Sequence, residues 1–258
     1  RPYLEGISLV QPRTTAEVES GLRTRALDVA IVSRTLADHL KRGLPQLIEY
    51  TVGHSMFFSV RFSLVNHPYN DQRFRNAVTW ALDRREMVRK FFDGSGGLSP
   101  WISWPVTRWT LPESELTTVP GYRPGDGGRE ADLRDARAAL EAFRAEKQLP
   151  ADPLPLFVVD ATENAIGLGS LIRDQLKAAL DLDIRVVPMP LSQLVSLLLS
   201  AEAPFAAGPD TGWIDLDDWV YPYFHSSGTR NSFPLRDPDL DALIENQRIE
   251  LNEDARRN

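Results

Sequence analysis

Leu154-Pro155-Leu156-Phe157-Val158-Val159-Asp160 is an apolar run of strand length that stops at a carboxylate. After it, Leu168, Leu171, Ile172, Leu176 and Ala179 recur at the spacing of one helix face, with Thr162 placed to cap that helix. A second strand-like run, Ile184-Arg185-Val186-Val187, follows. Strand, helix, strand in this order implies parallel pairing through a right-handed crossover. It predicts an α/β fold.

Downstream, Ser192 to Ser200 reads as another helix, and Phe205 to Trp213 should return to the sheet. Pro238 to about Leu251 is a final helix with Asp237 as its cap. Upstream, Glu130 to Lys147 is a helix with Leu133, Ala136, Leu140 and Phe143 on one face. Asp71 opens a helix carrying Phe74, Ala77, Val78, Ala81 and Leu82. Asp83 and Glu86 have capping-box spacing for a second one, closed by Gly94. Ile7 to Val10, Leu27 to Val32, Leu47 to Val52 and Met56 to Phe62 read as strands. Thr15 is placed to cap a helix reaching about Arg25. Residues 95 to 128, with five prolines from Pro100 to Pro124 and the tryptophans Trp101, Trp104 and Trp109, should be an irregular loop that lines a cleft or packs down. The sum is a lobe with a mixed β-sheet flanked by helices. Its first residues enter a strand-like segment directly and its last are still helix-like, so a piece truncated at both ends is expected.

Of the 258 residues, 42% are apolar and 25% charged, with a net charge of −7. An acidic chain without a basic stripe argues against nucleic-acid binding. There is no cysteine, which removes disulfides, thiolate metal sites and cysteine nucleophiles together. No apolar run approaches the ~20 residues that span a bilayer. The four histidines, His39, His54, His67 and His225, lack the short spacing of a zinc site. No G-x-S-x-G elbow and no phosphate-binding glycine motif is present.

Asn66-His67-Pro68-Tyr69-Asn70-Asp71-Gln72-Arg73-Phe74-Arg75-Asn76-Ala77-Val78, then Ala81-Leu82-Asp83-Arg84, resembles the signature of the extracellular solute-binding proteins of family 5, the peptide and nickel type. Gly94 and Gly96 sit where that family's turn belongs. Pro2 to Ile7, Leu27 to Ala30, Pro120-Gly121-Tyr122 with Asp126 and Ala136 to Leu140, Gly212-Trp213 with Asp215 and Asp218, and Asp237 to Ile244 resemble further family segments in collinear order. The resemblance implies a periplasmic-binding-protein-like fold of type II. It makes residues 1–55 the tail of a first lobe and hinge approach, and 56–258 a second, C-terminal ligand-binding lobe.

The densest chemistry is Asp215-Leu216-Asp217-Asp218, flanked by Trp213, Trp219, Tyr221 and Tyr223. One reading is an acidic helix cap whose aromatics fill the core. The other is a binding wall, where aromatic faces and carboxylates hold a cationic or polyhydroxyl ligand. The resemblance implies that Asp215 holds a peptide's amino terminus. Asp160 either caps the next helix or faces ligand. Without an arginine between Pro150 and Ile172 to clamp a carboxylate, a neutral or cationic ligand, or a long peptide held by its backbone, is favoured over a free dipeptide. Asp71, Arg73 and Arg75 read as a helix cap with ion pairs stitching the lobe. Paired carboxylates of a glycoside hydrolase would have to flank a sugar bond from both sides, which neighbouring acids on one loop do not.

These readings converge on a non-enzymatic substrate-binding component of an ABC importer, possessing no catalytic residue, metal or cofactor. It would take a peptide or other small solute between two lobes, act as a monomer and serve a membrane ABC permease. The expected location is extracytoplasmic, in the periplasm or as a lipid-anchored surface protein. The alternative is the ligand-sensing domain of a cytoplasmic transcription regulator with the same fold.

Overall fold

In the computed structural model, β1 (Met56–Phe62), β2 (Leu154–Val159), β3 (Ile184–Met189) and β4 (Phe205–Thr211) form a four-stranded sheet ordered β1-β4-β2-β3. The structure describes residues 3–10, 12, 14–50, 56–92, 97–98, 101–102, 107–160, 163–212 and 215–257. Strands β4, β2 and β3 run parallel, and β1 is antiparallel to β4 with Val60 opposite Ala207. The helices are α1 (Thr15–Arg23), α2 (Arg34–Gly43), α3 (Gln72–Ala81), α4 (Arg84–Phe91), α5 (Glu113–Leu116), α6 (Gly125–Arg144), α7 (Glu163–Leu180), α8 (Leu191–Leu199), α9 (Asp217–Phe224), α10 (Pro238–Ile249) and α11 (Glu253–Arg257). Among the described residues, no helix is long and apolar enough to cross a membrane.

The predicted β-α-β unit is β2, α7 and β3. The chain divides into two units, Arg1–Val52 and Gly53–Asn258. In the second unit the pleat sorts side chains between two cores. Leu154, Leu156 and Val158 of β2 and Phe205 and Ala207 of β4 join α3, α6 and α7 in the larger one. Val159, Met189 and Ala206, one pleat over, meet Leu194 and Leu198 of α8 in the smaller one. Phe62 and Phe205 stack face to face at 5.3 Å, and Phe74 meets Phe143 at 5.4 Å, locking α3 and α6 onto the sheet.

The expected caps are present. Asp83 accepts from the Glu86 N–H at 2.9 Å. Asp237 accepts from the N–H groups of Asp239 and Leu240. Helix α6 starts at Gly125, a turn before the expected Glu130, because Pro124 supplies an extended N-cap and Gly125 takes a φ of +69°. Thr162, Gly94, Gly96, Trp104 and Trp213 lie outside the described residues.

Asp71 is the most connected cap. Its carboxylate accepts from the Arg73 N–H and guanidinium, and pairs with Lys147 at 2.9 Å. Arg73 continues to Glu146 and to the Ala142 carbonyl, so the start of α3 is tied to the end of α6. This is the stitching role expected of Asp71 and Arg73. Arg75 donates to the Tyr69 carbonyl at 2.8 Å.

The first unit departs from expectation. Ile7 to Val10, Leu27 to Val32 and Leu47 to Tyr50 form no strand, and residues 51–52 lie outside the described set. Extended backbone becomes a strand only when another edge takes its hydrogen bonds. None of these runs pairs with another described segment, and Leu9, Val29, Ile31 and Ile48 stay largely exposed. Helix α1 is capped by Thr14, one residue before the expected Thr15. Helix α2, capped by Ser33, was not anticipated; it places Leu40 in the interior.

Two outcomes follow. The Arg73 hydrogen bonds hold the Asp71 carboxyl far below its ordinary range. A depressed carboxyl stabilises the fold above its unfolded value and loses that contribution as pH falls. Asp71→Asn should therefore lower the urea midpoint at pH 7. The gap from the natural chain should narrow as pH drops below about 4. Residues 1–52 expressed alone should show no cooperative melting by circular dichroism, since Leu40 and Leu44 are their only buried apolar side chains among the described residues.

Candidate functional site

Chain exits at the carboxyl ends of the parallel strands define the candidate site. After β2 the chain passes to α7, on the face of the larger core. After β4 it passes to α9, whose Trp219 stacks on Phe57 of β1 at 5.4 Å, on the opposite face. Neighbouring strands whose exits part to opposite faces leave a crevice at their carboxyl ends, where open α/β sheets take ligands. Asp160 stands at the β2 exit. It is exposed, with its N–H donating to the Met189 carbonyl at 2.9 Å. Asp215, Asp217 and Asp218 stand at the β4 exit.

The acidic segment is half loop and half helix. Asp217 and Asp218 occupy the first turn of α9, where carboxylates favour the helix dipole. Asp215 accepts from the Asp217 N–H at 2.9 Å and forms a forked pair with Arg256 of α11, at 2.7 and 3.3 Å. That guanidinium holds the Asp215 carboxyl below the usual range. Asp217 is held by Gln247 at 3.0 Å and Arg248 at 3.2 Å, both from α10. Asp218 accepts from the Asp215 N–H at 3.3 Å and makes no ion pair with a described residue.

Trp219, expected on the wall, is fully buried. The one-turn spacing of Trp219 and Tyr223 puts both on the inner face of α9. Trp101 donates its indole N–H to the Trp219 carbonyl at 2.9 Å and meets Phe57 and Tyr223 edge-on, so this tryptophan packs down. The indole of Trp219 also lies across Gly212, where any side chain would collide with it.

The sequence reading missed a buried pair behind this exit. On the same sheet face, Arg61 of β1 grips Asp210 of β4 with two nitrogens, at 2.8 and 3.0 Å, and the Ser59 hydroxyl donates to the same carboxylate. Side-chain exposure is 15% for Arg61 and 5% for Asp210. Burial pushes the Asp210 carboxyl up, opposed by the Arg61 charge and the Ser59 hydroxyl. Arg61 and Asp210 lie some 150 residues apart in sequence; in the β1–β4 register Arg61 stands opposite Ala206 and reaches along the sheet face to Asp210, which is diagonal to Ser59. Beside them a cavity of about 270 Å³ lies between β4, α8 and the segment after α9, from which Thr229, Arg230 and Ser232 line it.

Comparison with known proteins then decides the family. The family described as bacterial extracellular solute-binding proteins, family 5 Middle, matches residues 1–232. The chain belongs to this family. Among curated proteins none matches. Solved structures similar to this family 5 chain include the murein tripeptide binding protein MppA of Escherichia coli, at 20% identity and a TM-score of 0.71 over 92% of this chain and 45% of that one. The ABC transporter substrate-binding protein CtaP of Listeria monocytogenes has 14% identity and a TM-score of 0.77, covering 95% and 48%. NikZ of Campylobacter jejuni, solved in complex with Ni(L-His), has 14% identity and a TM-score of 0.72, covering 94% and 48%. The family 5 chain thus spans about half the length of these relatives and shares their type II binding-protein fold.

Two glycines, one within β4 and one just after it, should respond differently to an added methyl group. Gly212→Ala should destabilise the chain by about 1–3 kcal/mol through overpacking against Trp219. Gly208→Ala should be close to neutral, since its added methyl meets Val159 at an ordinary 3.9 Å. Urea midpoints of the two variants provide the check.

Proposed function

We propose that residues 56–258 are the second ligand-binding lobe of the substrate-binding component of an ABC importer, with residues 1–55 the tail of its first lobe. The whole protein captures a peptide or other small solute between two lobes outside the cytoplasmic membrane. It delivers the solute to a membrane permease, acts as a monomer and makes or breaks no bond. The family match over residues 1–232 carries this reading. The opposed exits of β2 and β4 support it, because they leave a crevice where a second lobe can close over a solute and exclude water.

In this reading Asp160 and Asp218 face the solute, and Trp213 is a further proposed contact. Asp215 and Asp217, gripped by Arg256 and Arg248, set the loop's shape and contribute charge already half matched. Trp219 backs the wall from inside. The solved neighbours include a murein tripeptide binding protein, a Ni(L-His) complex and a complex of Haemophilus influenzae OppA with RPPGFSPFR, so ligands of different chemistry share this fold.

Native mass spectrometry of the full-length protein tests the proposal. A complex that sheds one peptide or small solute on denaturation, with occupancy lowered by Asp160→Ala and Asp218→Ala, is the expected result. Conversion of the bound solute to products, abolished by Asp215→Ala, would overturn it, as would a nucleic acid in the complex.

A further inference from the structure

We infer that the cavity beside α8 is a subsite for an amphipathic carboxylate, with an aliphatic group on the α8 wall and its carboxylate against Arg230, Thr229 and Ser232. The inference rests on the receptor reading and gives that receptor's ligand a chemistry.

One wall is aliphatic. Leu194 and Leu198 form its buried base with Val159 and Ala206. Leu191, Val195 and Leu199, one turn apart, make an outer rim that is 54%, 44% and 60% exposed. A solvent-facing helix stripe is normally polar, so this rim is surface that gains from being covered. At about 270 Å³ the cavity is smaller than pockets for drug-sized molecules. It suits one residue-sized aliphatic group rather than an extended peptide.

Two guanidinium groups, Arg61 and Arg230, line the cavity with one carboxylate, Asp210. Arg61 is spent on Asp210, whose two oxygens are taken by Arg61 and Ser59. Arg230 uses one terminal nitrogen, Nη1, on the Thr211 carbonyl at 3.1 Å and the Tyr223 hydroxyl at 2.9 Å. It makes no ion pair with a described carboxylate. These bonds, and the Arg230 stack over Tyr223 at 5.5 Å, fix the guanidinium while leaving its other donors for an incoming anion. Ser232 sits in a buried residue position, and neither its hydroxyl nor that of Thr229 bonds a described residue. A planar guanidinium with two hydroxyls beside it matches a carboxylate, which takes two parallel N–H bonds.

Titration of the 15N-labelled chain with N-acetyl-L-leucine and with its neutral twin N-acetyl-L-leucinamide tests the assignment. The acid should shift amides of 191–199 and 229–232 and bind about tenfold tighter than the amide. Arg230→Gln should erase that preference. Val195→Glu, an exposed change outside the core, should abolish binding of the acid without unfolding the chain. Equal binding of acid and amide, shifts confined to Asp160 and 215–218, or no binding at the solubility limit would each overturn the inference. If mass spectrometry finds a solute sensitive to Asp160→Ala while N-acetyl-L-leucine ignores the cavity, the receptor reading stands and this subsite falls.

Discussion

The contact between Gly212 and the Trp219 indole governs how the chain leaves β4. Only a residue without a Cβ can pass under that ring. The ring in turn is clamped between Phe57 of β1 and the interior, with its own carbonyl bonded to Trp101. These constraints fix the first turn of α9, and the first turn of α9 fixes Asp217 and Asp218. From the same helix Tyr223 reaches back to the Thr211 carbonyl at 2.9 Å and receives Arg230. The acidic exit and the mouth of the cavity are therefore two ends of one packed unit. A change at Gly212 would move both.

Local signals in the sequence were sufficient for most of the second unit. Asp71, Asp83 and Asp237 each cap the helix that their spacing announced, because capping depends on residues two or three positions apart. The unit β2-α7-β3 appeared at its expected place, because strand and helix periods differ and do not need tertiary knowledge. Failure came where a partner was required. Ile7 to Val10 and Leu27 to Val32 have strand composition, yet composition sets preference for a pleated surface, not the edge that must receive it. Among the described residues of 1–52, these runs meet no such edge.

The site was legible by chemistry and not by orientation. Aromatic and acidic residues crowd into 213–223, and crowding alone cannot tell wall from interior. The one-turn spacing of Trp219 and Tyr223 was the available signal that both face inward. The partners of Asp215 and Asp217 were out of reach, since Arg256 and Gln247 lie 41 and 30 residues away and meet them only because α10 and α11 fold back on the loop. Arg61 and Asp210 were harder still. Each is a single charge on a strand until the antiparallel register brings Asp210 within reach of the Arg61 side chain on the same sheet face.

The pairing of Asp215 with Arg256 and of Asp217 with Arg248 has a kinetic consequence. A lone carboxylate acts at a distance as a monopole, drawing cations across the solvent. A carboxylate bound to a guanidinium acts as a dipole, whose field decays faster and is further quenched beyond the Debye length of about 8 Å at physiological ionic strength. Of the three carboxylates at the β4 exit, Asp215 and Asp217 are matched in this way, and Asp218 alone keeps the field of a monopole. The exit therefore draws a cation from a distance as one charge and not as three, and the rest of its acidity is met only on contact.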